Sequence, residues 1–162
     1  MGEDIRLSLK TGLSVAARDC RTGKMIGVQV SVLLGREHPQ RPAQPTAELE
    51  QFYYALDNVL DELFKEKADM CLIMLPVSVH KGWSAHAIED KMIVMSMEAG
   101  YSQGAQTACT CTNNALHRNT FADLGYETKY TLEDYNPSKD IKTDLSEMHG
   151  EHAAHLMVKG MP

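Results

Sequence analysis

Met70-Cys71-Leu72-Ile73-Met74-Leu75-Pro76-Val77-Ser78-Val79 is the stretch on which the fold turns. It is nearly all apolar, as a strand covered on both faces of a sheet is. Pro76 interrupts it. A proline has no N–H to give to a ladder, so pairing is expected to break or splay there. Residues 80–85 then read as a turn. Ile88, Met92, Met95 and Ala99 recur at helical spacing up to Gly100, a residue suited to follow a helix C terminus. Residues 105–112 read as a second buried strand. Strand, turn, helix and strand in that order imply a parallel pair joined by a right-handed crossover.

Working outward, residues 13–17 and 25–34 are β-rich runs on either side of a Thr22-Gly23 turn and predict a hairpin. Gly27 inside the second run suggests a bulge or a close backbone approach. Pro39, Pro42 and Pro45 make 36–45 a loop. Thr46 then caps a predicted helix carrying Leu49, Phe52, Tyr53, Leu56, Val59, Leu60, Leu63 and Phe64 at spacings of three and four. Downstream, Asn113 or Asn114 caps a short helix through Leu124, stopped by Gly125. Residues 127–135 alternate as a strand, 136–150 read as polar loop, and a last strand over about 155–161 closes the domain. The expected class is α/β (α+β): a mixed, mostly antiparallel sheet around a parallel pair splayed near Pro76, with flanking helices.

With 162 residues the chain is expected to form a single domain with a real core. Hydrophobic residues make up 43% and charged residues 23%, ordinary globular usage that excludes a disordered class. A formal charge of -6 argues against a nucleic-acid or anionic-membrane surface, which would need an excess of Lys and Arg. Cys20, Cys71, Cys109 and Cys111 form no CxxC pair and read as reduced thiols. The first residues carry no apolar signal segment, and no run approaches transmembrane length. A cytoplasmic protein is the expectation.

Two segments resemble the GNAT acetyltransferase superfamily and, within it, the arylalkylamine (dopamine-type) N-acetyltransferases of invertebrates. One runs Leu75-Pro76-Val77-Ser78-Val79-His80-Lys81-Gly82-Trp83-Ser84-Ala85-His86-Ala87-Ile88. It is similar to the family's strand leading into its pyrophosphate loop. The other, Asn113-Asn114-Ala115-Leu116-His117-Arg118-Asn119-Thr120-Phe121-Ala122-Asp123-Leu124-Gly125-Tyr126, is similar to the family's final helix with its closing Gly-Phe or Gly-Tyr pair. The resemblance implies a GNAT acyl-CoA N-acyltransferase fold and acetyl-CoA as cosubstrate. The backbone of Val77 and Val79 would pair with the pantetheine arm. The next helix tip would hold the pyrophosphate, where unsatisfied N–H groups and a positive dipole end suit an anion. On the family's loop pattern fall Ser84, Ala85, His86, Ala87, Ile88 and Glu89. A second register places Lys81, Ser84 and His86 there. Ala87 stands where the family has Gly. Glu89 stands at its last small position and sets a carboxylate against an anion site unless it turns away. Asn113 and Asn114 are N-caps that in this family also reach the pantetheine.

In many members a Tyr four residues before the terminal Gly protonates the leaving thiolate. Phe121 occupies that place here. His117, one turn earlier, is the candidate proton donor, because an imidazole titrates near neutral pH; a solvated helix histidine is the plainer account. His149, His152 and His155 form H-x2-H-x2-H, but a metal is the least favoured reading and none is expected. The opening strand and two helices of the family have no counterpart ahead of the hairpin. This implies a chain shortened at its N terminus, or an acceptor pocket lost or completed by another chain. The exposed sheet edge would invite a homodimer. The leading functional reading is transfer of acetyl from acetyl-CoA to a primary amine, a small arylalkylamine, by direct attack in a ternary complex. The alternative is a non-catalytic GNAT-fold module that binds coenzyme A weakly or acts in protein interaction.

Overall fold

The structure is a computed structural model that describes residues 12–35, 57–59, 61, 62, 65, 69–75, 77–83, 85–132 and 153–162. The predicted loop at 36–45, most of the predicted helix after Thr46, Pro76, Ser84, the polar stretch 136–150, His149 and His152 lie outside these residues. Residues 57–59, 61, 62 and 65 are helical, where the sequence places the long helix.

The chain opens with the expected hairpin, β1 (Val15–Arg18) against β2 (Met25–Gln29). Asp19 builds its turn. Its carboxylate accepts from the Arg21 N–H at 3.1 Å and the Thr22 hydroxyl at 2.6 Å, and Gly23 at φ +68° closes the reversal. Those two hydrogen bonds, Thr22 first, hold the Asp19 carboxyl below its ordinary range. The register slips between Ala17 and Arg18, opposite Gly27, so Ile26 is the extra residue of a bulge. Gly27 also admits the helix above it, since a Cβ there would stand 2.9 Å from Met92 Cε.

After one residue, Val30, the chain continues as β3 (Ser31–Gly35), but in a different sheet. The long apolar run does the same. Its first half is β4 (Met70–Met74), and its second is β5 (Ser78–Val79). Two sheets result, one ordered β1-β2-β5 and the other β3-β4-β6-β8-β7, where β6 is Thr107–Thr112, β7 Glu127–Leu132 and β8 Ala154–Gly160. The sequence implied one mixed sheet with a splay; two strands that each change partners half-way are how the splay is built. Only β4 and β6 run parallel among the described residues, in register from Cys71↔Thr107 to Met74↔Thr110. Beyond Met74 the ladder ends.

Helix α1 (Ala85–Ser102) makes the crossover between them. Its inner face, Glu89, Met92, Ile93, Ser96 and Gly100, is buried. Ser96 donates to the Leu13 carbonyl at 2.8 Å and meets the Ser31 hydroxyl at 2.6 Å, fixing the helix over both sheets. Gly100 does not end α1 as the sequence suggested. It lies inside the helix because a Cβ there would stand 2.8 Å from Leu72 Cδ2. Gly104, at φ +93°, takes the terminating role. Ala105 donates to the Gly100 carbonyl and Gly104 to that of Tyr101, a Schellman cap.

Helix α2 (Ala115–Asp123) follows β6 and ends as expected at Gly125, φ +86°. Tyr126 donates to Phe121 and Gly125 to Ala122. The rings of Phe121 and Tyr126, 5.0 Å apart and edge-on, supply the apolar contact that seals such a cap. No helix among the described residues is long and apolar enough to cross a membrane.

Candidate active site

The site is the fork left where β4 and β6 part. On one side the chain continues through Val77 into β5, paired with β2 as Gly27↔Val79 and Val28↔Ser78. His80 N–H donates to the Ile26 carbonyl at 2.7 Å. In an antiparallel ladder only alternate residues turn their N–H and C=O toward the partner strand. His80 and Ser78 therefore face β2, and the backbone groups of Val77 and Val79 point the other way, into the fork. On the other side Cys111 and Thr112 pair with Leu156 and His155 of β8.

The vertex is held by side chains that the sequence reading missed. Leu75 N–H donates to the Val30 carbonyl at 2.9 Å, tying together the points where β2 gives way to β3 and β4 to β5. Gln29, fully buried, donates its amide to the carbonyls of Val30 at 3.0 Å and Leu75 at 2.7 Å. Thr110 donates to the Met74 carbonyl at 3.0 Å. The Leu75 carbonyl, beyond the end of β4, is thus satisfied on the inner side of the fork. A lone amide inside the apolar run 25–34 was the one available signal for Gln29.

The tips of both helices border the fork. The turn before α1 contains exposed Lys81, Gly82 at φ +103° and Trp83, whose N–H reaches the His80 carbonyl at 3.3 Å. Ala85, His86, Ala87 and Ile88 form the first turn of α1, which carries no acidic residue. Ala87 is exposed and Ile88 half-buried. Glu89, one residue further, turns away from the tip. It is 4% exposed, and Oε1 lies 3.7 Å from Nε2 of His117 on α2. Asn114 is the N-cap of α2, its Oδ1 accepting from Leu116 N–H at 2.8 Å, with half-buried Asn113 just before it. Phe121 is 1% exposed and part of the core.

His155, read as one of three histidines, is engaged on both ring nitrogens. Arg118 Nη1 is 3.0 Å from Nε2 and Thr131 Oγ1 is 3.1 Å from Nδ1. A guanidinium only donates, so Nε2 accepts and Nδ1 carries the proton toward Thr131. Cys111, beside the fork on β6, has its thiol pushed by burial up to about 12. Such a thiol is not a nucleophile near neutral pH.

No family profile matches the sequence, and no curated protein does. Solved structures are similar over nearly the whole chain. Mosquito arylalkylamine N-acetyltransferase like 5b superposes with a TM-score of 0.70 at 18% identity, over 99% of this chain and 82% of that one. The Drosophila melanogaster polyamine N-acetyltransferase that forms N-acetylagmatine gives 0.75 at 13% identity, over 98% and 79%. The fold is that of the GNAT N-acetyltransferases. It extends to the NatC complex bound to Gag peptide and CoA, with a TM-score of 0.63 at 13% identity over 99% of this chain and 79% of that one.

Proposed function

We propose that this protein transfers acetyl from acetyl-CoA to the primary amine of a small molecule, an arylalkylamine or a related amine. The observation that carries this reading is the fork itself: the parallel ladder stops at Met74↔Thr110, and Val77 and Val79 turn their backbone groups into the gap. Amides exposed in this way match the alternating donors and acceptors of a pantetheine arm, which would lie along β5 as an added strand. The acid-free tip of α1 suits a pyrophosphate, with Lys81 alongside as a point charge and Asn113 and Asn114 on the opposite wall.

Acetyl-CoA supplies the activated acyl group as a thioester. The amine nitrogen attacks its carbonyl carbon, the C–N bond forms, the C–S bond breaks, and the thiolate leaves with the electron pair. Direct transfer agrees with Cys111, since a thiol held at about 12 would not take the acetyl group first. The relatives' amine acceptors, arylalkylamines and agmatine, make a small amine the first class to test.

A thermal-shift titration with acetyl-CoA, followed by thiol release with tyramine, dopamine, tryptamine or agmatine, tests the reading. Stabilisation of about 2.7 kcal/mol is expected at a ligand concentration of about one hundred times Kd. No shift at millimolar acetyl-CoA would overturn it. A second reading, a coenzyme A-binding module without catalysis, is favoured by Phe121, a ring without a hydroxyl that is sealed in the core. Cofactor stabilisation without thiol release from any amine would select it.

A further inference from the structure

Among the described residues, Glu89 is the one charged residue on the buried face of α1. A carboxylate withdrawn from water is destabilised unless hydrogen bonds replace its hydration. This one is incompletely served. Oε2 is buried and accepts no hydrogen bond among the described residues, and the nearest cation-forming group to Oε1 is His117 Nε2 at 3.7 Å. The His117 side chain is 21% exposed, against 6% for that of Glu89, so the imidazole stands between the buried carboxyl group and solvent. The two residues come from the second turn of α1 and the first turn of α2, the helices whose tips border the gap.

We infer that Glu89 and His117 form a proton-handling pair, with His117 as the catalytic residue and Glu89 as the positioning residue behind it; this rests on the acetyl-transfer reading above. A carboxylate on the Nε2 side favours the tautomer with its proton on Nε2 and leaves Nδ1 as the basic atom. The attacking nitrogen must lose one proton and the departing sulfur must gain one. Nδ1 of His117 takes the first and delivers the second, so the imidazole ends each turnover as it began. The placement also accounts for a glutamate at the second turn of a helix whose tip would bind an anion: its charge is directed inward to the imidazole rather than toward phosphate.

Four proteins decide the inference: the full chain, Glu89→Gln, Glu89→Asp and His117→Asn, the last of which also assigns the His117 signals. Two-bond 1H–15N correlations should show His117 protonated on Nε2 in the full chain and shifted toward Nδ1 in Glu89→Gln. With a turnover assay, Glu89→Gln should lower kcat roughly 10–100-fold with KM for acetyl-CoA changed by less than about twofold. Glu89→Asp should recover part of the loss. A merely structural glutamate would lower the melting temperature without moving the tautomer or splitting kcat from KM. An unchanged tautomer in Glu89→Gln, or His117→Asn with undiminished kcat, overturns the inference. Absence of turnover from the full chain removes the acetyl-transfer reading and the catalytic role with it, while the tautomer measurement still decides whether Glu89 positions the ring.

Discussion

The two ends of the β4–β6 pair are built from similar residues and behave as opposites. At the closed end, Cys71, Leu72, Ala108 and Cys109 are fully buried, and the Cys71 and Cys109 sulfurs lie 3.3 Å apart. At the open end, the ladder between them stops and the chain after β4 continues as β5 in the other sheet, and the polar groups there are tied by Gln29, Thr110 and Asn114. Packing fixes the first region and hydrogen bonds fix the second. The contrast shows how one apolar run can be core in its first half, β4, and join a second sheet in its other half, β5.

The largest test of this division is Leu72→Ala. Leu72 fills the space over Gly100, so its truncation should cost about 2–5 kcal/mol of stability in denaturant melts and leave the affinity for acetyl-CoA unchanged. A loss of binding in proportion to stability would break the contrast. Gln29→Leu acts at the vertex instead. It removes the donors to the Val30 and Leu75 carbonyls and should cost about 1–3 kcal/mol. Here acetyl-CoA affinity should fall as well, because the fork loses a tie; unchanged affinity would show that the vertex stands without Gln29, on its backbone bond and Thr110.

The smallest effect is chemical. Alkylation of the native protein at pH 8 should modify exposed Cys20 and spare Cys111, whose thiol at about 12 is ionised on the order of one part in ten thousand at that pH. Cys109 should also be spared. The hydrogen bond with Cys71, then burial, raises its thiol well above the ordinary range. Native labelling of Cys109 would show that the closed end opens in solution.

Much of this arrangement was legible in the amino-acid order. Pro76 marked the place where the strand changes partners, and Asn114 and Gly125 bracket α2 as their local chemistry requires. Local signals failed where a distant neighbour decides the outcome. Gly100 read as a helix end, yet its role is to admit Leu72, a contact that periodicity cannot see. Glu89 read as a charge at the helix tip, and only the packing of α2 beside α1 shows where its carboxylate goes. The change of sheet at Val30 is marked by no proline or glycine at that position, because its cause is the partner strand at Leu75.

The tie between Val30 and Leu75 joins positions far apart in the chain, and the segment between them closes a loop. Closing a flexible loop depends only logarithmically on its length, with each doubling adding about 0.6 kcal/mol. Residues added between Gly35 and Asp69 should therefore cost the vertex little, provided Val59 keeps its place against Cys71, Cys109 and Val158. Added length there can thus accumulate over evolutionary time without disturbing the Val30–Leu75 tie.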